Sequence, residues 1–168
     1  MNLDPQWIAG FVDGEGCFHI SVNPHKEMTT GFQILPEFTV VQHERDIHIL
    51  YALKDYFKCG VVRVNHGDRM AYRVRGLDHL CNTIIPFFDE FHLITQKRIE
   101  FEKFKSVIQM MKQRLHLSEP GIHKIRLIRN SMNRKQVKIK SDLHGNMQRG
   151  KEIIPPSSDN FVQNDVTM

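Results

Sequence analysis

The spacing of apolar residues predicts an alternation of helices and strands along most of the chain. An apolar stripe at helical spacing predicts a first helix, which Asp4 caps and which Gly14 and Gly16 stop. Strict alternation of apolar and polar side chains then predicts two strands, over residues 17–23 and 32–42. Each of these strands is expected to have one buried and one polar face.

A second helix and a hairpin repeat this order. Helical spacing predicts a helix over residues 45–57. Residues 61–65 and 70–75 alternate on either side of a short polar turn, and so they predict the two strands of a hairpin. Within the first of these strands, Val62 and Val64 are expected to pack beneath the sheet.

Helical patterns fill the rest of the predicted core. A short helix over residues 77–85 is expected to stop at Pro86, because proline cannot donate a backbone hydrogen bond. A longer helix covers residues 96–115, and Ser118 can cap the last one. The order α-β-β-α-β-β-α, followed by further helices, belongs to the α+β class.

The folded domain is expected to cover residues 1–133. A chain of 168 residues can bury a core of its own as one domain. Beyond it the apolar pattern dissolves, so residues 134–168 are predicted to form a basic and then polar tail that is partly disordered. No apolar run approaches the ~18 residues of a membrane helix, and no secretory signal is visible. The chain is therefore predicted to be intracellular, without a membrane partner.

Charge is unevenly distributed, although the net charge is only +4. Residues 1–60 carry 4 basic and 8 acidic side chains, whereas residues 61–150 carry 18 basic and 8 acidic ones. Such asymmetry is typical of proteins that bind polyanions, but a solvated helical face could hold the same excess. The three cysteines, Cys17, Cys59 and Cys81, form no CxxC pair, which argues against a zinc site and against a disulfide framework.

Glu15 is the residue that folding alone does not explain. The run around it reads Ile8-Ala9-Gly10-Phe11-Val12-Asp13-Gly14-Glu15-Gly16. A carboxylate at a helix C-terminus faces the negative end of the helix dipole, which costs ~0.3–1 kcal/mol. A bound divalent cation would reverse that cost, while an exposed turn acid is the structural alternative.

This run resembles the LAGLIDADG motif of homing endonucleases, with Ile8 in place of the first leucine and Glu15 in place of the last aspartate. The motif occurs once, as in the single-motif, homodimeric branch of the family, and further resemblance extends over residues 5–133. It implies an αββαββα fold whose curved, four-stranded antiparallel sheet forms a saddle over DNA. It also implies a homodimer through the motif helix, with contacts from Trp7, Ile8, Gly10, Phe11 and Gly14.

The resemblance assigns catalytic roles to three side chains. Glu15 would bind a metal ion together with the Gly14 carbonyl, and the ion would be Mg²⁺, with Mn²⁺ as a substitute. Gln42 matches a glutamine that positions water near the scissile phosphate. Lys97 matches a basic residue that stabilises the developing negative charge, with Arg98 as the fallback. An ordinary strand end and a charged first helical turn are the structural alternatives for Gln42 and Lys97.

Alternation also predicts which side chains face DNA. If the apolar positions pack beneath the sheet, the opposite face presents residue types that can reach base edges and phosphates in the major groove. These are His19, Ser21, Asn23, Gln33, Glu37, Thr39, Arg63, Asn65, Arg73 and Arg75, with Lys26 and Arg69 in loops beside them. The tail's Arg134, Lys135, Lys138 and Lys140 could contact phosphates, and a solvated basic run explains them equally well.

The resemblance implies a site-specific, double-strand DNA endonuclease that leaves short 3′ overhangs in a long pseudo-palindromic target and promotes intron mobility. Its partners would be double-stranded DNA and a second copy of itself. Family habit places such proteins in chloroplasts or mitochondria, where they are made. The alternative on the same fold is an RNA maturase that binds its intron RNA, or a DNA-binding regulator without nuclease activity. Several family members have a basic residue where this chain has Asp46, a departure that leaves room for a decayed nuclease.

Overall fold

The computed structural model describes residues 2–132 and confirms the predicted α+β order of two α-β-β units followed by helices. The elements are α1 (Pro5–Glu15), β1 (Gly16–Pro24), β2 (Phe32–His43), α2 (Ile47–Phe57), β3 (Val61–His66), β4 (Arg69–Val74), α3 (Leu77–His79), α4 (Ile85–Glu90), α5 (Gln96–Lys112) and α6 (Glu119–Ser131). The predicted tail over residues 134–168 lies outside the described residues. Within them, no helix is long and apolar enough to span a bilayer.

The four strands form one antiparallel sheet in the order β1-β2-β4-β3. Phe38 of β2 lies opposite Phe18 of β1 on one side and opposite Val74 of β4 on the other. Because opposite residues point to the same face of a sheet, the apolar positions of the three strands line up on one side. The sheet therefore presents an apolar face to the helices and a polar face away from them.

Aromatic rings fill the core beneath the apolar face of the sheet. The Phe18 ring centroid lies 5.3 Å from that of Phe38 and 5.3–5.6 Å from those of Phe88, Phe101 and Phe104. All five rings are at most 2% exposed. Burying a phenylalanine side chain contributes about 1.5–3 kcal/mol relative to leaving it in water. These contacts hold α4 and α5 against the sheet, and so they fix α5 relative to β1.

The two ends of α1 depend on different contacts. Asp4 caps the first turn as predicted, because its Oδ1 accepts two backbone N–H groups at 2.9 and 3.1 Å. The predicted stop is wrong in mechanism, since neither Gly14 nor Gly16 adopts the left-handed conformation that ends a helix. Gly14 lies inside α1, and Gly16 is extended, with φ −75° and ψ 159°. Glycine is needed at Gly16 for space, because a Cβ there would lie 2.5 Å from Val12 Cγ1 and 2.8 Å from the Val12 carbonyl oxygen.

Pro86 does not stop a helix, which corrects the sequence prediction. Leu80–Ile84 form a π-helical turn, and α4 continues through Pro86 to Glu90. The Ile85 N–H donates to the Leu80 carbonyl, five residues earlier in the chain. This wider turn gives the proline ring space that a regular α-helix would deny it.

Two further predictions have opposite outcomes. Ser118 caps α6 as predicted, with its Oγ accepting the Gly121 N–H at 3.3 Å. Val64, predicted to pack beneath the sheet, is 67% exposed. It lies on the edge strand β3 beside an irregularity in the pairing with β4, and so no neighbouring strand covers it on the outer side.

Candidate functional site

Glu15 occupies the last turn of α1, and its side chain is exposed. Within residues 2–132, the Glu15 carboxylate has no hydrogen-bond or ion-pair partner. A carboxylate without a partner at the negative end of a helix favours a bound cation. Among the described residues, however, no group of three or more His, Cys, Asp or Glu side chains could hold a metal ion. Within residues 2–132, the ligands left at the end of α1 are the Glu15 carboxylate and nearby backbone carbonyls, such as that of Gly14.

Lys97 is brought to the end of the motif by α5. Its Nζ donates a hydrogen bond to the carbonyl oxygen of Gly16, the residue that directly follows Glu15. The side chain is half-buried, whereas that of the neighbouring Arg98 is exposed. Of these two cations, Lys97 is the one with a contact at the end of the motif, at the residue next to Glu15 in the chain.

Gln42 lies at the same end of the sheet as Glu15. Gly16 is opposite Val40 in the β1–β2 register, and Gln42 is two residues further along β2. The chain then enters a short 3₁₀ turn, Glu44–Asp46, in which the Asp46 carboxylate pairs with Arg45 Nε at 3.2 Å. The position that departs from the family pattern therefore carries an exposed ion pair in place of a free cation.

Asp13, the other acid of the motif, makes long-range hydrogen bonds. Its Oδ2 accepts the N–H groups of Ile94 and Thr95 at 3.0 and 3.1 Å, and its Oδ1 accepts the Thr95 hydroxyl at 2.8 Å. These donors lie immediately before α5, about eighty residues along the chain. Both carboxylate oxygens are thus engaged within the chain, in contrast to those of Glu15.

The polar residues predicted to bind DNA share one face of the sheet. His19 lies opposite Glu37, Asn23 opposite Gln33, and Thr39 opposite Arg73. On this face, the His19 ring is hydrogen-bonded to the Ser21 hydroxyl at 3.0 Å, and Arg73 Nη2 donates to Asn65 Oδ1. Arg63 lies opposite Ala71, two residues from Arg73 along β4.

Two flanking cations complete this polar face. Lys26 is exposed in the connection between β1 and β2. Arg69 was predicted in a loop, but it is the first residue of β4 and lies opposite His43. The hairpin is therefore longer than its polar turn suggested, because pairing with β2 extends it.

Glu37 neutralises part of the arginine cluster. Arg75 Nε donates to Glu37 Oε2, and Arg73 Nε lies 4.0 Å from Glu37 Oε1. The Glu37 side chain is 15% exposed and that of Arg75 is 60% exposed. A cleft of about 420 Å³ opens beside them, lined in part by Arg63, Arg73, Arg75 and His79. Arg73 and Arg75 are thus held near Glu37 on the polar face of the sheet.

The outer side of α1 carries apolar residues that the chain does not bury. Trp7 is 43% exposed, and its ring stacks on that of Phe11 with centroids 4.9 Å apart. A Cβ added at Gly10 or Gly14 would meet no atom within 4 Å. Ile8, also predicted to contact a partner, is 0% exposed and belongs to the chain's own core. That prediction is wrong, because Ile8 lies on the inner side of the helix.

Comparison with known proteins matches this arrangement to one family. The family model described as LAGLIDADG endonuclease matches residues 8–108. Probable intron-encoded endonuclease 2 of Neurospora crassa is 31% identical over 134 residues, which are 79% of this chain and 30% of that protein. This chain spans 25–30% of the length of the first curated relatives that it matches.

Two solved structures share the fold at substantial identity. The homing endonuclease I-TnaI matches with a TM-score of 0.77 and 47% identity, over 80% of this chain and 90% of that chain. I-SmaMI bound to cleaved DNA matches with a TM-score of 0.78 and 30% identity, over 82% of this chain and 46% of that one. I-SmaMI has also been solved on an uncleaved DNA target in the presence of calcium ions.

The family match begins at Ile8 and ends at Ile108. It therefore contains most of the motif helix, the whole sheet and most of α5, including Glu15, Gln42 and Lys97. Since it covers more than half of the 168 residues, the chain belongs to the LAGLIDADG endonuclease family.

Proposed function

We propose that this chain is a Mg²⁺-dependent homing endonuclease that cuts both strands of a specific DNA site as a homodimer. The observation that carries the proposal is the Glu15 carboxylate, which is exposed, has no partner within residues 2–132 and directly precedes Gly16, whose carbonyl accepts a hydrogen bond from Lys97. The relatives support it, because I-TnaI is a homing endonuclease and I-SmaMI has been solved on cleaved DNA.

The oxygen atoms at the end of α1 fit a hard divalent cation. The Glu15 carboxylate and the Gly14 carbonyl are the kinds of ligand that Mg²⁺ accepts, together with water and phosphate oxygens, and Mn²⁺ would substitute. One carboxylate is few for such an ion, so a second chain would contribute its own. Bound there, the ion would lower the pKa of a water molecule and offset negative charge on the phosphate.

Lys97 and Gln42 would act on the reacting groups from two sides. Lys97 holds its positive charge at the Gly16 carbonyl, one residue after Glu15, and from there it would stabilise the negative charge that develops on the phosphate oxygens. The Gln42 amide can donate and accept hydrogen bonds, and so it would orient the attacking water. Arg98 stays the fallback for the cationic role.

The outer side of α1 would form the dimer interface. Trp7 and Phe11 provide apolar surface, and Gly10 and Gly14 leave open space for the partner's backbone. Two-fold symmetry would bring two Glu15 side chains together and give each DNA strand its own catalytic residues.

The polar face of the sheet would read the DNA target. Arginine binds guanine through two hydrogen bonds, so Arg63, Arg73 and Arg75 are the strongest candidates for base contacts. His19, Ser21, Asn23, Gln33 and Thr39 offer further donors and acceptors, while Lys26 and Arg69 would hold the flanking phosphates. A symmetric dimer would recognise a long pseudo-palindromic site, cut it across the minor groove and leave short 3′ overhangs.

The biological role would be intron mobility. The Neurospora crassa relative is named as probably intron-encoded, and a protein of this kind would cut the allele that lacks its intron. We place the chain in a mitochondrion or chloroplast on the same ground.

The decisive experiment is cleavage of the intronless host sequence by purified protein, with Mg²⁺ and with EDTA. We expect Mg²⁺-dependent double-strand cutting at the intron insertion point. Glu15→Gln should bind the same DNA and fail to cut it, because the amide cannot replace a charged metal ligand. Full cleavage by Glu15→Gln would remove Glu15 from the metal site, and binding without cutting by the unchanged protein would contradict the nuclease assignment.

A second candidate is an RNA maturase or a DNA-binding regulator without nuclease activity. The ion pair between Asp46 and Arg45 favours it, since no free cation occupies the position that several family members fill with one. Splicing of the host intron RNA with and without the protein separates the two functions. Protein-dependent splicing without DNA cleavage would establish the maturase.

A further inference from the structure

Asp13 anchors the segment that precedes α5. Its two oxygens accept the Ile94 N–H, the Thr95 N–H and the Thr95 hydroxyl, at 2.8–3.1 Å for the shortest contact of each donor. Every one of these groups donates, so a carboxylate satisfies all three without adding a competing donor. The Ile94 side chain is 89% exposed, and packing of that side chain therefore does not hold the segment in place.

Thr95 connects Asp13 to Lys97 through hydrogen bonds. Its Oγ1 donates to Asp13 and also accepts the Lys97 N–H at 3.2 Å, which caps α5. The side chain of the same residue reaches back to the motif, where Lys97 Nζ donates to the Gly16 carbonyl. The contacts thus form a closed ring from Asp13 through Thr95 and Lys97 to Gly16, with Glu15 inside the stretch of α1 that the ring encloses.

We propose that Asp13 is a positioning residue, which acts on the reaction by fixing Lys97 beside Glu15 and does not bind the metal ion itself. The inference rests on the proposed nuclease function, in which Lys97 stabilises charge on the phosphate. Both oxygens of Asp13 are committed to donors on the α5 side, so neither is directed to an ion at Glu15. Of the two acids in the motif, Glu15 would bind the ion and Asp13 would place the cation.

The test compares Asp13→Ala, Lys97→Ala and the double variant in single-turnover cleavage. A group misplaced by about 1 Å can cost on the order of 10²-fold in rate, and we expect a loss of about that size from Asp13→Ala. Because Asp13 acts through Lys97, the double variant should cleave no more slowly than Lys97→Ala alone. Losses that multiply in the double variant would overturn the proposal.

Asp4→Ala is the matched control. Asp4 also accepts two backbone N–H groups on α1, but at the opposite end of the helix. It should lower thermal stability without changing the cleavage rate of the folded fraction. Thr95→Val should reproduce the loss seen with Asp13→Ala, and Thr95→Ser should restore activity because the hydroxyl returns. Equal cleavage rates for Asp13→Ala and Asp4→Ala, at matched folded fractions, would also contradict the proposal.

A second readout does not depend on cleavage. In Asp13→Ala, the amides of Ile94 and Thr95 should lose protection from hydrogen exchange, and the Lys97 side-chain ammonium resonance should move. Asp4→Ala controls for helix stability and should leave both signals unchanged. Asp13→Asn removes the charge but keeps hydrogen-bond acceptance, so its loss of amide protection should lie between those of the unchanged protein and Asp13→Ala. If the unchanged protein does not cleave DNA, the proposed function fails, while unaltered protection and an unmoved Lys97 resonance would overturn the positioning role by themselves.

Discussion

At the polar face, the Glu37 carboxylate lies between two arginines that would otherwise present uncompensated charge. It accepts a hydrogen bond from Arg75 and stands 4.0 Å from Arg73 Nε. Its own side chain is 15% exposed, so water screens it less than it screens the arginine heads. Its expected function is therefore to orient the arginines and to limit their attraction to any phosphate.

Replacement of Glu37 by Gln should make DNA binding stronger and less selective. An ion pair open to solvent on one side, as this one is at the 60% exposed Arg75, contributes ~0.2–1 kcal/mol, so its release should raise the affinity for unrelated DNA about 1.4- to fivefold. The salt dependence of binding should steepen by about one unit of the logarithmic slope, as for one additional phosphate contact. Fluorescence anisotropy with target and unrelated duplexes over a salt series measures both quantities.

Glu90→Gln removes an exposed carboxylate on α4 and is the control, since its effect on the two duplexes should be small and equal. An unchanged affinity of Glu37→Gln for unrelated DNA would show that Glu37 does not restrain the arginines.

Single residues were predictable from sequence where their partners are local. Asp4 and Ser118 each cap the helix that directly follows them in the chain, and both predicted contacts are present. Asp13 bonds to residues about eighty positions away, and Glu37 meets Arg75 only through pairing across β2 and β4. Local sequence patterns cannot predict these two contacts, because the packing of α5 and the register of the sheet bring the partners together.

Among the elements, the junction of α1 and β1 leaves no room for a side chain at Gly16. Gly16→Ala would add a Cβ within 3 Å of both the side chain and the carbonyl of Val12. Such overpacking costs about 1–3 kcal/mol, and we expect a loss of that size in the free energy of unfolding. Urea denaturation followed by circular dichroism measures it.

Gly14→Ala is the matched variant for Gly16→Ala. A Cβ at Gly14 meets no atom within 4 Å, and alanine stabilises a helix interior by roughly 0.5–1 kcal/mol over glycine. The two substitutions should therefore change the unfolding free energy in opposite directions at low protein concentration. Equal destabilisation by both would mean that the close contact with Val12 is not maintained in solution.

The elements themselves followed from periodicity, and the exceptions have physical causes. The rule that proline ends a helix assumes regular α-geometry, and the π-helical turn before Pro86 removes that assumption. Val64 alternates correctly on β3, but an edge position leaves it exposed. Alternation indicates which face a residue occupies, whereas burial also requires an element on that face to cover it.

For the whole molecule, the outer side of α1 leads to a prediction about assembly. Gly10→Ala fills open space in the single chain and should stabilise it by up to about 1 kcal/mol. In a dimer that packs backbone to backbone, the same methyl group would keep the helices apart. Self-association should therefore weaken, and Gly10→Leu should abolish it.

Sedimentation equilibrium measures the association, and unfolding at several protein concentrations measures the coupled stability. Lys26→Ala, on an exposed connection away from α1, should leave self-association unchanged. A dimer that persists in Gly10→Leu would place the interface elsewhere. At this scale, the sequence predicted an apolar helix face for a partner, and α1 does leave Trp7 exposed, but the sequence could not separate Ile8, which the core buries, from its neighbours.

No residue separates α1 from β1, since the helix ends at Glu15 and the strand begins at Gly16. The proposed metal ligand is therefore located where the helix joins the strand directly, and we expect the sheet to rotate with the helix. In a dimer built on α1, the angle at which the two helices cross would set the distance between the two reading surfaces. The length of DNA between the half-sites would then be a property of helix packing, and substitutions at this interface could retune the spacing of the target without touching a base.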